Sequence, residues 1–314
     1  MFSHLKPRTS CVAAAMLLAV LMGGQARGRP LDPPRQARGR EVVECPEVRV
    51  EYESKQKQLA EKICLEAEEI RRRVIKDLGL VAEGKIRVRL YASSAEFRKA
   101  VGAEKGSLTV GIAYSSGDYL EMDASGLLES PRKVLAHEIT HVLLGQHLGS
   151  KIETLPLWLN EGLAQVESGP LPLSAREALW EAASRGSLPA LSSLEGEFPD
   201  EEEAKGLAYV QSEAAVEFLR DRYGKEAISK LLGLLREGKG FDEAFSEAMG
   251  TTFPEFAGEW EELLNRRPLW EVLFRGGAPY IIWAVAALLV VYGFLRLRRR
   301  GRAKMKEWEE EERG

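Results

Sequence analysis

The sequence predicts an α+β fold: a small mixed sheet with helices, then a helical half, then one transmembrane helix near the C-terminus. Three observations predict it. Strand patterns occur only in the stretch 48–122. Beyond that stretch the apolar residues recur at helical spacing. Near the end, Gly276–Leu295 runs without a charged residue.

The ends set the bounds. Lys6 and Arg8 precede the apolar run Cys11–Met22, and Gly24-Gln25-Ala26 offers small residues for cleavage, so residues 1–26 read as a secretory signal peptide. The apolar run is short for a span, which favours cleavage over an uncleaved anchor. Arg27–Arg40 is basic and rich in Pro and Gly, so a disordered linker is expected over 27–44. A single domain is placed at 45–268, long enough to build a good core.

Val48–Tyr52 alternates apolar and charged residues, a strand signal. Ser54–Leu78 carries Leu59, Ile63, Ile70, Val74 and Leu78 at helical spacing, which predicts a long amphipathic helix. Ile86–Tyr91 alternates as a strand, and Ser94–Val101 reads as a short helix. Leu108–Ala113 and Tyr119–Met122 read as strands joined by a turn at Ser115–Asp118. Either could be the sheet edge that takes a peptide as an added strand. Outside the signal the chain has only Cys45 and Cys64. They could form a disulfide in an oxidising compartment or remain two thiols.

Leu135–Leu144 reads L-A-H-E-I-T-H-V-L-L. Ser130-Pro131 offers an N-cap and a first-turn proline, so the segment reads as a helix. Residues four apart share a face, so His137 and His141 can hold one metal ion. Glu138 lies about 100° round the helix, beside the metal rather than on it. A general base that takes a proton from water belongs there. Catalytic zinc takes three protein ligands, and Glu161, in L-W-L-N-E-G-L-A, would project back toward the histidines as the third. The chain has four histidines, and two of them form this motif. His147 reads as a helix-end or surface residue.

H-E-x-x-H followed by W-L-N-E-G-x-A resembles the gluzincin metallopeptidases, in particular the small peptidase MA-like domains. The resemblance covers roughly residues 84–256. It implies a zincin-like, thermolysin-type catalytic domain, one Zn2+ per chain on His137, His141 and Glu161, and Glu138 as general base. Leu207–Tyr223 contains A-Y-V-Q-S, similar to the helix after the third ligand in those domains. That likeness offers Tyr209 as a second catalytic residue, the donor to the developing oxyanion, although a core tyrosine reads equally well. Asn160 and Thr140 are candidates for orienting the ligands. Trp158 reads as packing, and Gly162 as a point of close helix approach. Aminopeptidases of the group carry G-x-M-E-N upstream. This chain has Gly111-Ile112-Ala113-Tyr114 and Tyr119-Leu120-Glu121-Met122-Asp123 instead, which favours an endopeptidase.

The remaining helices are expected at Leu173–Ala183, Leu207–Tyr223, Lys225–Leu235, Phe241–Met249 and Phe253–Leu264. Glu195–Lys205 reads as an acidic, solvent-facing loop. Trp260 reads as core and Trp270 as interfacial. At 1.5 Å per residue, Gly276–Leu295 matches a hydrocarbon core of about 30 Å. Arg296, Arg298, Arg299, Arg300, Arg302, Lys304 and Lys306 follow it. This predicts a span at 276–295 and a cytoplasmic tail at 296–314, with the catalytic domain outside the cytoplasm. Net charge is −4, which gives no sign of nucleic-acid binding. The expectation is a membrane-anchored zinc metallopeptidase acting on peptide or protein substrates. The alternative is a catalytically inactive zinc-bearing module that holds a peptide or cell-envelope partner.

Overall fold

The structure is a computed structural model that describes residues 39–103, 110–114, 118–125, 130–266, 283–294, 296 and 298. The expected signal peptide, Trp270 and nearly all of the basic tail lie outside the described residues.

Five strands form one sheet: β1 (Glu41–Glu44), β2 (Val48–Tyr52), β3 (Ile86–Tyr91), β4 (Gly111–Tyr114) and β5 (Tyr119–Asp123). Their order is β1-β2-β3-β5-β4. β2, β3 and β5 run parallel, while β1 and β4 pair antiparallel at the two ends, so the sheet is mixed. Leu108 and Thr109 of the expected third strand, and residues 115–117 of the turn, lie outside the described residues. The linker expected over 27–44 is corrected at its end, because Glu41–Glu44 pairs with β2 as β1.

Alternation fixes the two faces of the sheet. Val48, Val50, Ile86, Val88, Leu90, Leu120 and Met122 enter the core. Helix α1 (Lys57–Leu78) buries Ile63, Ala67, Ile70, Val74 and Leu78, one stripe at helical spacing, as expected. It packs on β2 and on α3 (Pro131–Leu148). Each such Ile, Val or Leu stabilises the fold by roughly 1.5–3 kcal/mol through burial. A disulfide joins Cys45 to Cys64 and ties the β1–β2 turn to α1. The short helix α2 (Ser94–Val101) follows β3.

The second half is helical: α4 (Leu157–Ser168), α5 (Leu173–Ser184), α6 (Glu202–Tyr223), α7 (Lys225–Arg236), α8 (Phe241–Met249) and α9 (Phe253–Asn265). Helix α6 begins five residues before the expected Leu207, inside the stretch read as an acidic loop. Glu202 and Glu203 occupy its first turn, where the helix dipole favours negative charge. Trp158 stacks on Phe253 and Phe256, and Trp260 is buried nearby. His147 is not a surface residue. It is buried at the end of α3, and its Nδ1 accepts the Val81 backbone N–H at 2.9 Å.

The chain divides into two units near residue 264. In the second, residues 283–294 are helical, with Trp283, Leu288, Leu289 and Val290 exposed. Among the described residues no helix is long and apolar enough to cross a membrane. Residues 276–282 and 295 of the expected span lie outside them.

Candidate active site

Helix α3 runs through the middle of the domain. Pro131 occupies its first turn, as expected, but the Ser130 hydroxyl makes no cap bond; only its carbonyl accepts, from Lys133 and Val134. Every residue from Val134 to Gly145 is buried. A helix buried all round can place two imidazoles on one side only by surrounding them with other elements. Those elements are α4 and β4, both packed on α3.

His137 and His141 point the same way, with Nε2 atoms 3.1 Å apart. Glu161 Oε2, from the second turn of α4, lies 3.5 Å from the first and 3.4 Å from the second. All three side chains are at most 2% exposed. Zinc–nitrogen bonds of about 2.0–2.1 Å at tetrahedral angles put neighbouring donor atoms about 3.3 Å apart. The three atoms therefore match one face of such a site. Glu161 Oε2 is buried with no hydrogen-bond partner among the described residues. Two imidazole nitrogens and a carboxylate oxygen buried at this spacing suit a shared positive centre, so the donor set fits a divalent cation. Among the described residues this is the one His/Cys/Asp/Glu group close enough to hold one.

The electrostatics agree. Burial pushes His137 down. Burial also disfavours charge on His141, but the Glu161 carboxylate outweighs it and raises this imidazole to about 9. The histidines in turn hold Glu161 down at about 2 against its burial. The trio thus gathers positive charge onto one imidazole, in the place a metal ion would take.

Asn160 precedes Glu161, and its Oδ1 lies 3.0 Å from His141 Nδ1. Thr140 is buried, and its hydroxyl donates to the Ala136 carbonyl one turn back. Gly162 is a close-approach point, since a Cβ there would lie 2.4 Å from the Ser212 carbonyl oxygen of α6.

Glu138 lies beside the trio, 1% exposed, and burial raises it to about 7. Its Oε1 has no hydrogen-bond partner among the described residues. The Ala113 backbone N–H of β4 faces the same carboxylate. Tyr209 of α6 is buried with its ring edge-to-face on Phe198 at 5.0 Å. Burial, then Glu161 and Glu138, push its phenol well above 10, so its hydroxyl stays protonated and able to donate.

Sequence reasoning missed one contact. A Cβ at Gly111 would lie 2.8 Å from Glu138 Oε1 and 2.8 Å from Val134 Cγ1. The glycine was visible, but the strand's position against α3 exists only in three dimensions.

The family model of the Peptidase MA superfamily matches residues 67–266. The chain belongs to the peptidase MA superfamily. The matched stretch runs from α1 to the end of α9 and contains the whole site. Comparison with curated proteins gives no match. Peptidase MA proteins generally bind a metal, usually zinc, and the buried His-His-Glu group is where this member can do so.

Proposed function

We propose that the chain is a zinc-dependent peptidase of the gluzincin type, with His137, His141 and Glu161 as ligands and Glu138 as general base. The observation that carries this reading is the convergence of three buried donor atoms beside Glu138, whose Oε1 has no hydrogen-bond partner among the described residues. A zinc ion held there supplies a Lewis acid and brings water to a pKa of about 7.

The chain's own groups do the rest. Glu138 Oε1 takes the proton from the attacking water and later delivers it to the leaving amine. Tyr209 donates a hydrogen bond to the oxygen on which charge develops. Edge strand β4 supports the substrate. The Val110 carbonyl accepts from Asp123, so by antiparallel alternation the backbone groups of Gly111 and Ala113 face away from β5. An extended peptide can pair there as an added strand.

Internal cleavage is favoured over N-terminal trimming. β4 offers no carboxylate for a free amino group. The acid across from it in the sheet, Glu121 on β5, points to the other face, where three tyrosine hydroxyls already surround it. We further propose secretion by the N-terminal signal and anchoring by 276–295. The apolar composition of that stretch, the helical 283–294 and the basic flank support this. The peptidase domain then lies outside the cytoplasm.

Chelation tests the reading. Cleavage of casein by the full chain should stop with 1,10-phenanthroline and return with zinc. Cleavage indifferent to the chelator would rule the reading out.

A further inference from the structure

The face of the sheet opposite the core carries a buried cluster with no part in the chemistry above. Glu121 is 3% exposed and lies across from Ile112 of β4. It accepts hydrogen bonds from three phenols on three strands: Tyr91 of β3 at 2.8 Å, Tyr119 of β5 at 2.6 Å and Tyr114 of β4 at 3.3 Å. Arg89 Nη1 lies 3.7 Å away. That guanidinium is itself held by Glu51, at 3.0 and 2.8 Å. Burial first, then the Glu121 charge, raises Tyr91 to about 12 and pushes Tyr114 and Tyr119 up as well. All three phenols therefore stay protonated and keep donating.

A buried carboxylate is a costly way to hold a sheet together, since apolar residues of the same size stabilise at least as well. Its position is informative. β4, like β1, has four residues and a ladder on one side only, so its outer edge is free to fray. Tyr114 is its last residue, and its ring stacks on Tyr119 at 5.5 Å. On the other face of β4, Gly111 rests against Glu138 with no room for a methyl group. The strand is thus gripped at its end from one side and pressed on the general base from the other.

We propose that Glu121 is a positioning residue. By gathering the hydroxyls of Tyr91, Tyr114 and Tyr119, it pins edge strand β4 at the depth where Gly111 meets Glu138, and so holds the strand on which a peptide would pair. Glu121 does not touch the reacting atoms. It acts through β4.

Two readouts on the full chain test this, in Glu121→Gln, Tyr114→Phe and the control Glu51→Gln. The control neutralises a neighbouring acid that bonds Arg89 but does not contact β4. The first readout is amide hydrogen exchange, which needs no catalysis. Losing one buried hydrogen bond should speed exchange of the Ile112 and Tyr114 amides, the two of β4 that face β5, about five- to tenfold in both Glu121→Gln and Tyr114→Phe, with β2 and β3 unchanged. Glu51→Gln should leave the Ile112 and Tyr114 amides as in the parent. The second readout rests on the peptidase reading. KM for casein should rise about tenfold in the two variants, with kcat within about twofold and zinc content unchanged. Exchange at Ile112 and Tyr114 equal to the parent in Tyr114→Phe would refute the pin, as would protection lost evenly across β2, β3 and β4. Faster exchange at β4 in a chain that cleaves nothing would uphold the pin and count only against the peptidase reading.

Discussion

Asn160 Oδ1 meets Nδ1 of His141 at 3.0 Å, one residue before Glu161 on the same helix. One short stretch of α4 therefore both contributes a donor atom and fixes the ring that carries another. With a metal bound, His141 would be neutral, its Nδ1–H donated to Asn160 Oδ1 and its Nε2 lone pair turned toward His137 and Glu161. Asn160→Ala should lower zinc affinity about 10–100-fold. Asn160→Asp, which keeps the acceptor, should stay close to the parent. Competition with a chromophoric chelator measures both.

Glu138→Gln keeps the shape of the side chain and removes the base. Zinc content should match the parent, while casein cleavage falls by about 10²–10⁴-fold. A variant that cleaves at the parental rate would leave Glu138 without the assigned role.

Gly162 sets the distance between α4 and α6. A methyl group there would meet the Ser212 carbonyl oxygen at 2.4 Å and Val216 Cγ2 at 2.6 Å. Backbone cannot swing aside as a side chain can, so Gly162→Ala should cost about 1–3 kcal/mol or more. A thermal melt should show a lower Tm; an unchanged Tm would mean the helices are not in tight contact there.

Glu213 on α6 gives a pH dependence. Burial, and secondarily Glu217, push its carboxyl up to about 8, while Lys133 and Arg176 oppose the shift. The folded state therefore holds a proton that the unfolded chain releases near 4.5. This stabilisation is complete below pH 4.5 and disappears as pH rises through 8. In urea titrations, Glu213→Gln should gain on the parent by a few kcal/mol on going from pH 5 to pH 8.5, an order-of-magnitude figure. A constant difference across that range would show that Glu213 does not titrate late.

Much of this was legible in the residues. Local periodicity gave β2, β3, α2 and α8 with the boundaries observed. The four-residue spacing of His137 and His141, with the W-L-N-E-G-L-A segment that carries Glu161, pointed to the group that the fold brings together. What stayed hidden depends on neighbours distant in the chain. β1 is four mostly exposed residues, E-V-V-E, and no burial pattern marks them. The first turn of α6 is acidic, which suits both a loop and a helix N-terminus. His147 takes its burial from the packing around the end of α3. The parallel pairing of β2, β3 and β5 has no local signature. Nor does the use of Glu121, which alternation marks only as facing away from the core.

Zinc binding and hydrolysis here both require three side chains that share one cation. Metal analysis of the purified full chain beside His137→Ala and Glu161→Gln tests this most directly. The expected result is about one zinc per parental chain, less than about a tenth of that in either variant, and affinity that falls below about pH 6 as imidazoles protonate. Equal metal content in all three proteins would contradict it.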